Sequence, residues 1–253
     1  MIGQPRYWRL ERNGNAVFAA VGDEFTCYAE VSGPPGPGAR SPTWQLTLSW
    51  DGLVVVTDEQ GRETAGPGVL VSPGLWHTMR HPAGVTSVWI DPHRLTLPRG
   101  IHALDQAHVR RLLADLEDEF DPDRLRRTVH RALGDPPVVD PRLTRALAML
   151  GGGADLAELA DGVGLSARRL RQLSASMVGC SLTKLRRWHR VREAGLLLPF
   201  LPTAEVAVRT GFADQAHLIR SMAELTGRTP GSALAVAGIR PLSDGLSAAT
   251  APR

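Results

Sequence analysis

The chain has 253 residues, of which 43% are hydrophobic and 22% are charged, so it can form one large globular domain or two domains of ordinary size. No apolar run approaches the roughly 18 residues that a membrane-spanning helix needs. The first residues also lack the apolar core of a signal peptide. These features argue against a membrane or exported protein, and we expect a cytoplasmic one. Cys27 and Cys180 form no CxxC pair, which indicates free thiols.

The net charge of +3 is unevenly distributed along the chain. Residues 141–240 contain 14 Lys and Arg against 7 Asp and Glu, whereas residues 1–140 contain 14 against 18. A basic segment behind an acidic one indicates that only the C-terminal part meets a polyanion such as DNA.

Residues 1–98 have the pattern of short strands separated by turns. Trp44 to Trp50 alternates apolar and polar residues, which predicts a half-buried strand. Asp51-Gly52 then predicts a hairpin turn that leads into a partner strand over 53–57. Further strands are predicted over 16–20, 26–31, 68–72 and 86–90. Many short strands with Gly and Pro turns predict a small antiparallel barrel or sandwich.

The periodicity becomes helical after Pro98. One helix is predicted from the spacing of Leu104, Leu112, Leu113, Leu116 and Phe120, and a second begins just after Asp121-Pro122. We expect residues 99–134 to form a helical segment used for dimerisation or packing, residues 135–140 to form a linker, and residues 241–253 to form a disordered tail.

A repeated segment dominates residues 141–240. Four residues of the first copy recur 47 positions later: Ala157, Glu158, Ala160 and Gly164 recur as Ala204, Glu205, Ala207 and Gly211. Leu170 and Gly179 recur 48 positions later as Leu218 and Gly227. The second copy therefore has one extra residue after its turn, and a duplicated supersecondary unit explains the pattern.

Each copy has the parts of a helix-turn-helix unit. A short helix over about 155–161, or 203–209, ends at a glycine that can turn the chain. Ser166 and Asp214 can then cap the next helix, which would lie in a DNA major groove. The small alanines at 157, 160, 204 and 207 are expected to let the two helices of each unit pack closely.

This arrangement resembles the AraC/XylS family of bacterial transcription regulators, and the resemblance covers residues 141–240. Its most specific segment is GFADQAHLIR at 211–220, followed by TGRTP at 226–230. The resemblance implies a long helix over 182–198 that joins the two units and places their recognition helices in successive major grooves. Its apolar side chains at 185, 188, 191 and 196 would face the core.

The resemblance also implies the side chains that contact DNA. Those expected to face bases are Arg168, Arg171, Gln172, Gln215, His217 and Arg220, because arginine suits guanine and glutamine suits adenine. Those expected to hold phosphate or to position the protein are Arg169, Arg186, Arg187, Arg190, Asp214 and Arg228. Where the family has an aromatic residue late in each recognition helix, this chain has Ser174 and Met222. Ser174 cannot fill a core, so we expect looser packing or a shifted helix in the first unit.

The segment Pro73-Gly74-Leu75-Trp76-His77 is similar to a conserved stretch of cupin barrels, which AraC-type regulators often carry as effector domains. A small organic effector contacting Trp44, Trp76 and His77 is one interpretation, and a core that simply uses large side chains is the other. Metal-binding cupins supply an earlier HxH, but no histidine precedes His77. We therefore expect neither a metal site nor another cofactor.

Together these features predict a sequence-specific DNA-binding transcription regulator. It would be a non-enzymatic multi-domain protein, with a cupin-like antiparallel β-barrel and two helices before an all-α domain of two helix-turn-helix units. A homodimer is expected as well, and RNA polymerase is a candidate partner. The alternatives are a cupin-type enzyme fused to a DNA-binding domain, a DNA-repair methyl acceptor that uses Cys180, and an architectural protein without base preference.

Overall fold

A computed structural model describes residues 6–12, 15–21, 25–30, 36–81, 83–114, 122–152, 154–198 and 200–231. An N-terminal β domain is followed by a helical domain, so the predicted fold class is confirmed. Within the described ranges, no helix is both long and apolar enough to cross a membrane. The predicted tail over 241–253 lies outside these ranges. The strands are β1 (Arg6–Arg12), β2 (Asn15–Val21), β3 (Phe25–Glu30), β4 (Trp44–Ser49), β5 (Val54–Asp58), β6 (Glu63–Gly66), β7 (Gly68–Val71), β8 (His77–Arg80), β9 (Val85–Ile90) and β10 (Ile101–Leu104).

The ten strands form two antiparallel sheets. The large sheet has the order β1-β2-β3-β9-β4-β7-β10, and the small sheet has the order β6-β5-β8. The two sheets share a cluster of buried valines, with Val54 and Val56 from the small sheet and Val69, Val71 and Val85 from the large one. The small sheet therefore covers one face of the large sheet, which gives the sandwich-like core that the strand pattern predicts.

The predicted hairpin at Asp51-Gly52 is wrong. The turn is present, but β4 pairs with β7 and β9 in the large sheet, whereas β5 pairs with β6 and β8 in the small one. The chain changes sheets here because β4 is a central strand, and both of its edges are already occupied by other strands.

Strand β4 also differs from its predicted half-buried state, since all six of its residues are buried. Trp44, Leu46 and Leu48 point into the core beneath the helices. Between them, Gln45 and Thr47 are buried on the opposite face, where the Thr47 hydroxyl lies 3.1 Å from that of Ser87. The alternation therefore separates two buried faces, one beneath the helices and one where Gln45 and Thr47 lie beside the valines that contact the small sheet.

Two helices cover the other face of the large sheet, namely α1 (Gln106–Ala114) and α2 (Pro122–Leu133). Val109 and Leu112 of α1 and Leu125 and Val129 of α2 are fully buried against the β4 side chains. The second predicted helix begins as expected. The first begins later than predicted, because Leu104 belongs to strand β10, where it pairs with Gly68 of β7. Leu116 and Phe120 lie outside the described residues.

The helical domain begins at Pro141, whose helix is capped by the Asp140 carboxylate. Two apolar cores build it: one surrounds the first helix-turn-helix unit and the other surrounds the second. The second core also contains Trp89 from the β domain. The helices are α3 (Pro141–Ala148), α4 (Leu156–Gly162), α5 (Ala167–Leu173), α6 (Leu182–Leu197), α7 (Thr203–Arg209) and α8 (Gln215–Thr226).

Candidate nucleic-acid interface

The first helix-turn-helix unit consists of α4, a turn and α5. The Asp155 carboxylate accepts from the amides of Ala157 and Glu158, and the Glu158 carboxylate accepts from the Asp155 amide, which forms a capping box. The turn contains Gly164 at φ +66°, a conformation that favours glycine. Ser166 then caps α5 by accepting from the Arg169 amide at 3.2 Å.

The second unit repeats this geometry with α7 and α8. Its turn contains Gly211 at φ +74°. The Phe212 amide donates to the Ala207 carbonyl at 2.9 Å, just as the Leu165 amide donates to the Ala160 carbonyl at 2.8 Å in the first unit. Asp214 caps α8 by accepting from the His217 amide at 2.6 Å. The bond that closes each turn therefore recurs at the offset of 47, and the predicted repeat is structural.

Two of the four alanines are buried between the helices of their unit, as predicted, and the other two are not. Ala160 and Ala207 are buried where the two helices of each unit meet. Ala157 and Ala204 are exposed instead.

The predicted base-reading side chains of the first unit lie together on one surface. Arg168, Arg171 and Gln172 are all exposed, as is Arg169. After the contacts from Arg142, the charge of Arg169 also helps to lower the pKa of Asp140 to about 2. Arg169 therefore lies on the side of α5 that faces the linker, which fits a positioning role better than base contact.

The second unit presents a less basic surface. Gln215 and Arg220 are exposed, whereas His217 is half-buried with its ring edge-on to Phe212, at a centroid distance of 5.2 Å. Arg228 is half-buried beyond the end of α8. Asp214 serves as the helix cap, so its carboxylate is already occupied by a backbone amide.

Helix α6 joins the two units as predicted, and its four expected core residues, Leu185, Trp188, Val191 and Leu196, are buried. Its arginines are engaged within the protein. Arg186 donates to the Ala154 carbonyl at 2.6 Å, and Arg187 forms an ion pair with Glu224 at 2.7 Å. Arg190 lies against the second turn. If Gly211 had a Cβ atom, that atom would be within 3.4 Å of the Arg190 guanidinium. Arg186 therefore links α6 to the first unit, and Arg187 links it to the second.

The shift expected from Ser174 is present as a π-helical turn. The turn spans Ser174–Val178 directly after α5 and ends at Gly179, at φ +72°. Ser174 is fully buried, and its hydroxyl donates to the Cys180 carbonyl at 2.7 Å. Where the family has an aromatic residue that would pack in the core, Ser174 therefore makes a hydrogen bond that closes the turn.

The π turn changes which side chains are buried. The second recognition helix buries four positions: Leu218, Ser221, Met222 and Leu225. The corresponding positions of the first unit lie 48 residues earlier, and the first three of them are buried as well. The fourth is Met177, which is 37% exposed, and Val178 is buried in its place. The wider turn therefore shifts the buried face by one residue. The two recognition helices differ at their C-terminal ends although both contain 12 residues.

Replacing Ser174 with alanine should lower the free energy of unfolding by about 1–3 kcal/mol, because it removes a buried hydrogen bond and leaves the Cys180 carbonyl without that donor. Urea unfolding followed by circular dichroism measures this loss. Ser176→Ala is the matched control, since Ser176 is exposed in the same turn and should change stability by less than about 0.5 kcal/mol. Equal losses in both variants would show that the Ser174 bond does not hold the turn.

The three candidate effector residues are not brought together. Trp44 faces the helix-covered core on one side of the large sheet. Trp76 packs over Gly38, and His77 is buried at the start of β8 in the small sheet, on the other side. Burial lowers the pKa of His77. A cleft of about 250 Å³ lies elsewhere, between β7, β10 and the two helices of the β domain, where it is lined by Leu97, His102 and Leu133 among others.

The alternative functions require chemical groups with particular surroundings. Among the described residues, no three His, Cys, Asp or Glu side chains are grouped to hold a metal ion. Burial raises the pKa of the Cys180 thiol to about 12. A nucleophilic cysteine requires a lowered pKa, so this thiol does not fit a methyl-acceptor role.

Comparisons with known proteins agree with this architecture. Residues 159–235 match the helix-turn-helix domain family. The search of curated proteins found no match to the sequence. Among solved structures, the apo form of a ToxT point variant from Vibrio cholerae superposes with a TM-score of 0.58 and 10% identity over 85% of this chain and 98% of that one. Unsaturated-fatty-acid-bound wild-type ToxT from the same organism superposes with a TM-score of 0.54 and 10% identity over 84% and 95%.

These findings confirm the resemblance drawn from the repeat and from the segment at 211–230. The chain carries a helix-turn-helix domain behind an antiparallel β domain, and the ToxT structures share this two-domain fold.

Proposed function

We propose that the protein is a sequence-specific DNA-binding transcription regulator. The main support for this proposal is the pair of matched helix-turn-helix units. Each unit has a capped recognition helix, and the N-terminal half of that helix has exposed Arg and Gln side chains. Two such helices joined by α6 suit two successive major grooves on one face of DNA. The excess of basic residues in this domain supplies the attraction to phosphate.

We assign base contacts to Arg168, Arg171 and Gln172 in the first unit and to Gln215 and Arg220 in the second. The first half-site should therefore contain guanines, because arginine donates two hydrogen bonds to guanine O6 and N7. His217 is the weakest of the predicted base contacts, since its ring packs against Phe212. Arg169 and Arg228 are assigned to phosphate.

The β domain is the proposed regulatory part. The ToxT structures of the same fold include one with an unsaturated fatty acid and one with (E)-4-(8-methylnaphthalen-1-yl)but-3-enoic acid. By analogy, this chain would respond to a small organic effector. Helices α1 and α2 would pair two copies in a homodimer. The regulator would act in the cytoplasm, with RNA polymerase as a further partner.

Selection of bound fragments from genomic DNA tests the proposal. A specific regulator should enrich a bipartite motif and should bind it at least about 10³-fold more tightly than random DNA. A ratio near one would indicate an architectural protein without base preference and would overturn the proposal. The genes beside the enriched sites would also suggest the effector.

Replacing Arg168 or Arg171 with alanine should weaken binding to the selected site by about 1–3 kcal/mol and should relax the preference at one base position. Fluorescence anisotropy with the selected site and its single-base variants measures both effects. Arg169→Ala is the matched control, because loss of a phosphate contact should weaken binding to every sequence alike. An equal loss on specific and random DNA for Arg168→Ala would contradict its assignment to a base.

A further inference from the structure

One short segment of the β domain, residues 36–40, contacts the C-terminal end of the second recognition helix and is called here the strap. The Arg40 amide donates to the Glu224 carbonyl in α8 at 2.7 Å. Gly36, Gly38 and Ala39 lie against Gly227, the residue that ends α8, and a Cβ at Gly36 would come within 3.1 Å of the Gly227 carbonyl oxygen. Because both backbones approach so closely, the strap fixes the end of α8.

The strap is itself fixed within the β domain. Ala39 and His77 exchange two backbone hydrogen bonds of 2.9 and 3.0 Å. Gly38, at φ +101°, lies beneath the Trp76 indole, and a Cβ there would be 2.7 Å from the ring. The strap therefore transmits the position of strand β8 to α8.

A second contact holds helix α6, which lies between the two units. Asp91, directly after β9, pairs with Arg192 of α6 at 3.4 Å, and the two side chains are only 9% and 5% exposed. The rings of Trp89 in the β domain and Trp188 in α6 also lie near each other, with a centroid distance of 6.0 Å. An ion pair buried to this degree requires close docking of the two surfaces.

A third contact reaches the first recognition helix. The 3₁₀ turn Pro92–Arg94 of the β domain packs on the π turn Ser174–Val178. The Asp91 carboxylate is also close enough to Cys180 to contribute to the raised pKa of that thiol, after burial itself. The β domain therefore touches the C-terminal ends of both recognition helices, and it leaves their N-terminal halves exposed.

We propose that the β domain acts as a clamp that sets the distance and rotation between the two recognition helices, and hence the half-site spacing that the protein accepts. Asp91, Arg192 and the strap are its positioning residues. This inference rests on the proposed function. Without the clamp, α6 and its own contacts would alone join the units. One base pair of added spacing rotates a half-site by about 35°, so a rigid pair of helices should reject it.

The test uses the full-length protein and selection from random DNA. Wild type should enrich two half-sites at one spacing and should lose about tenfold in affinity when one base pair is inserted between them, which is about the cost of one lost base contact. Arg40→Pro removes the amide donor to Glu224. It should accept the insertion with less than about a threefold loss while each half-site keeps its base preferences.

Arg40→Ala is the matched control, because it removes the exposed ion pair with Glu59 and keeps the amide. It should behave as wild type. A second set avoids dependence on proline. Arg192→Glu places two carboxylates together and should broaden the spacing, and Asp91→Arg in the same chain should restore it. Circular dichroism confirms that each variant is folded.

The outcomes separate the two proposals. If wild type enriches no motif, sequence-specific binding fails and the clamp fails with it. If wild type enriches a bipartite motif but tolerates the insertion, or if folded Arg40→Pro and Arg192→Glu keep the wild-type spacing, only the clamp is overturned. Loss of base preference within a half-site would also overturn it, because the contact would then shape a recognition helix instead of the distance between the two.

Discussion

Replacing Trp188 with alanine should lower the free energy of unfolding by about 3–5 kcal/mol, the range for deleting a buried aromatic side chain. Trp188 is only 2% exposed. It lies in a core that combines α6, α7 and α8 with Trp89 and Tyr28 of the β domain. The cavity would therefore open between the two domains, where neither can close it without moving the other.

Denaturant unfolding followed by far-ultraviolet circular dichroism measures this effect. Phe200→Ala is the control, because Phe200 is 52% exposed and its loss should change stability by less than about 0.5 kcal/mol. Since the shared core couples the domains, we also expect Trp188→Ala to separate one transition into two. A loss below about 1 kcal/mol in Trp188→Ala would mean that this core contributes little to holding the domains together.

The helical domain could be predicted from the sequence because its signals are local. A glycine at φ above zero and a capping side chain lie within a few residues of the helix ends that they specify. The predicted bounds of α7 are the observed ones, Thr203–Arg209. The residue type of Ser174 predicts a weakly packed position, whereas its hydrogen bond to the Cys180 carbonyl depends on the folded turn.

The β domain was harder to predict because strand pairing is set by distant segments. Gln45 and Thr47 are polar, so the alternation in β4 predicted an exposed face, yet a second sheet covers that face. The pairing of β4 with β9 joins residues about 40 positions apart, which no local pattern specifies. Four strands, β1, β6, β8 and β10, were not predicted at all.

Part of the candidate site also depended on tertiary contacts. Arg186 and Arg187 were predicted to be available for phosphate, but each has a partner more than 30 residues away in sequence. The composition of α6 shows that it is basic and cannot show which arginines are already engaged. The exposed arginines of α5 can be predicted without knowledge of tertiary contacts, because the capped start of the helix and its apolar side determine which face is exposed to solvent.

Acidification should weaken the protein at the boundary between its domains. Burial, followed by the nearby Arg94, lowers the pKa of His93 to about 4. Burial, followed by Arg192 and His93, lowers the pKa of His189 to about 3. The ordinary histidine pKa is about 6.5, so the folded protein keeps both rings neutral while the unfolded chain takes up protons below that pH.

The sign of the effect follows from this difference in proton binding. The unfolded state binds more protons between pH 6.5 and about 4, so these histidines leave the free energy of unfolding unchanged above pH 6.5 and lower it as the pH drops through that window. At about 1.4 kcal/mol per pKa unit, His93 alone accounts for a loss of up to about 3 kcal/mol. His189 continues the loss toward pH 3, and His77, whose pKa is also lowered, acts in the same direction.

Urea unfolding at intervals from about pH 7.5 to about pH 4.5 measures the slope. The double variant His93→Gln/His189→Gln cannot take up these protons, so its stability should fall by less than half as much over the same range. Protonation of aspartates with a lowered pKa, such as Asp140, lowers the free energy of unfolding mainly below about pH 4. The loss at higher pH therefore comes from the histidines. Identical slopes in wild type and double variant would show that these two rings are solvated in the folded protein. The domain boundary would then be more open to water than its buried Asp91–Arg192 pair indicates.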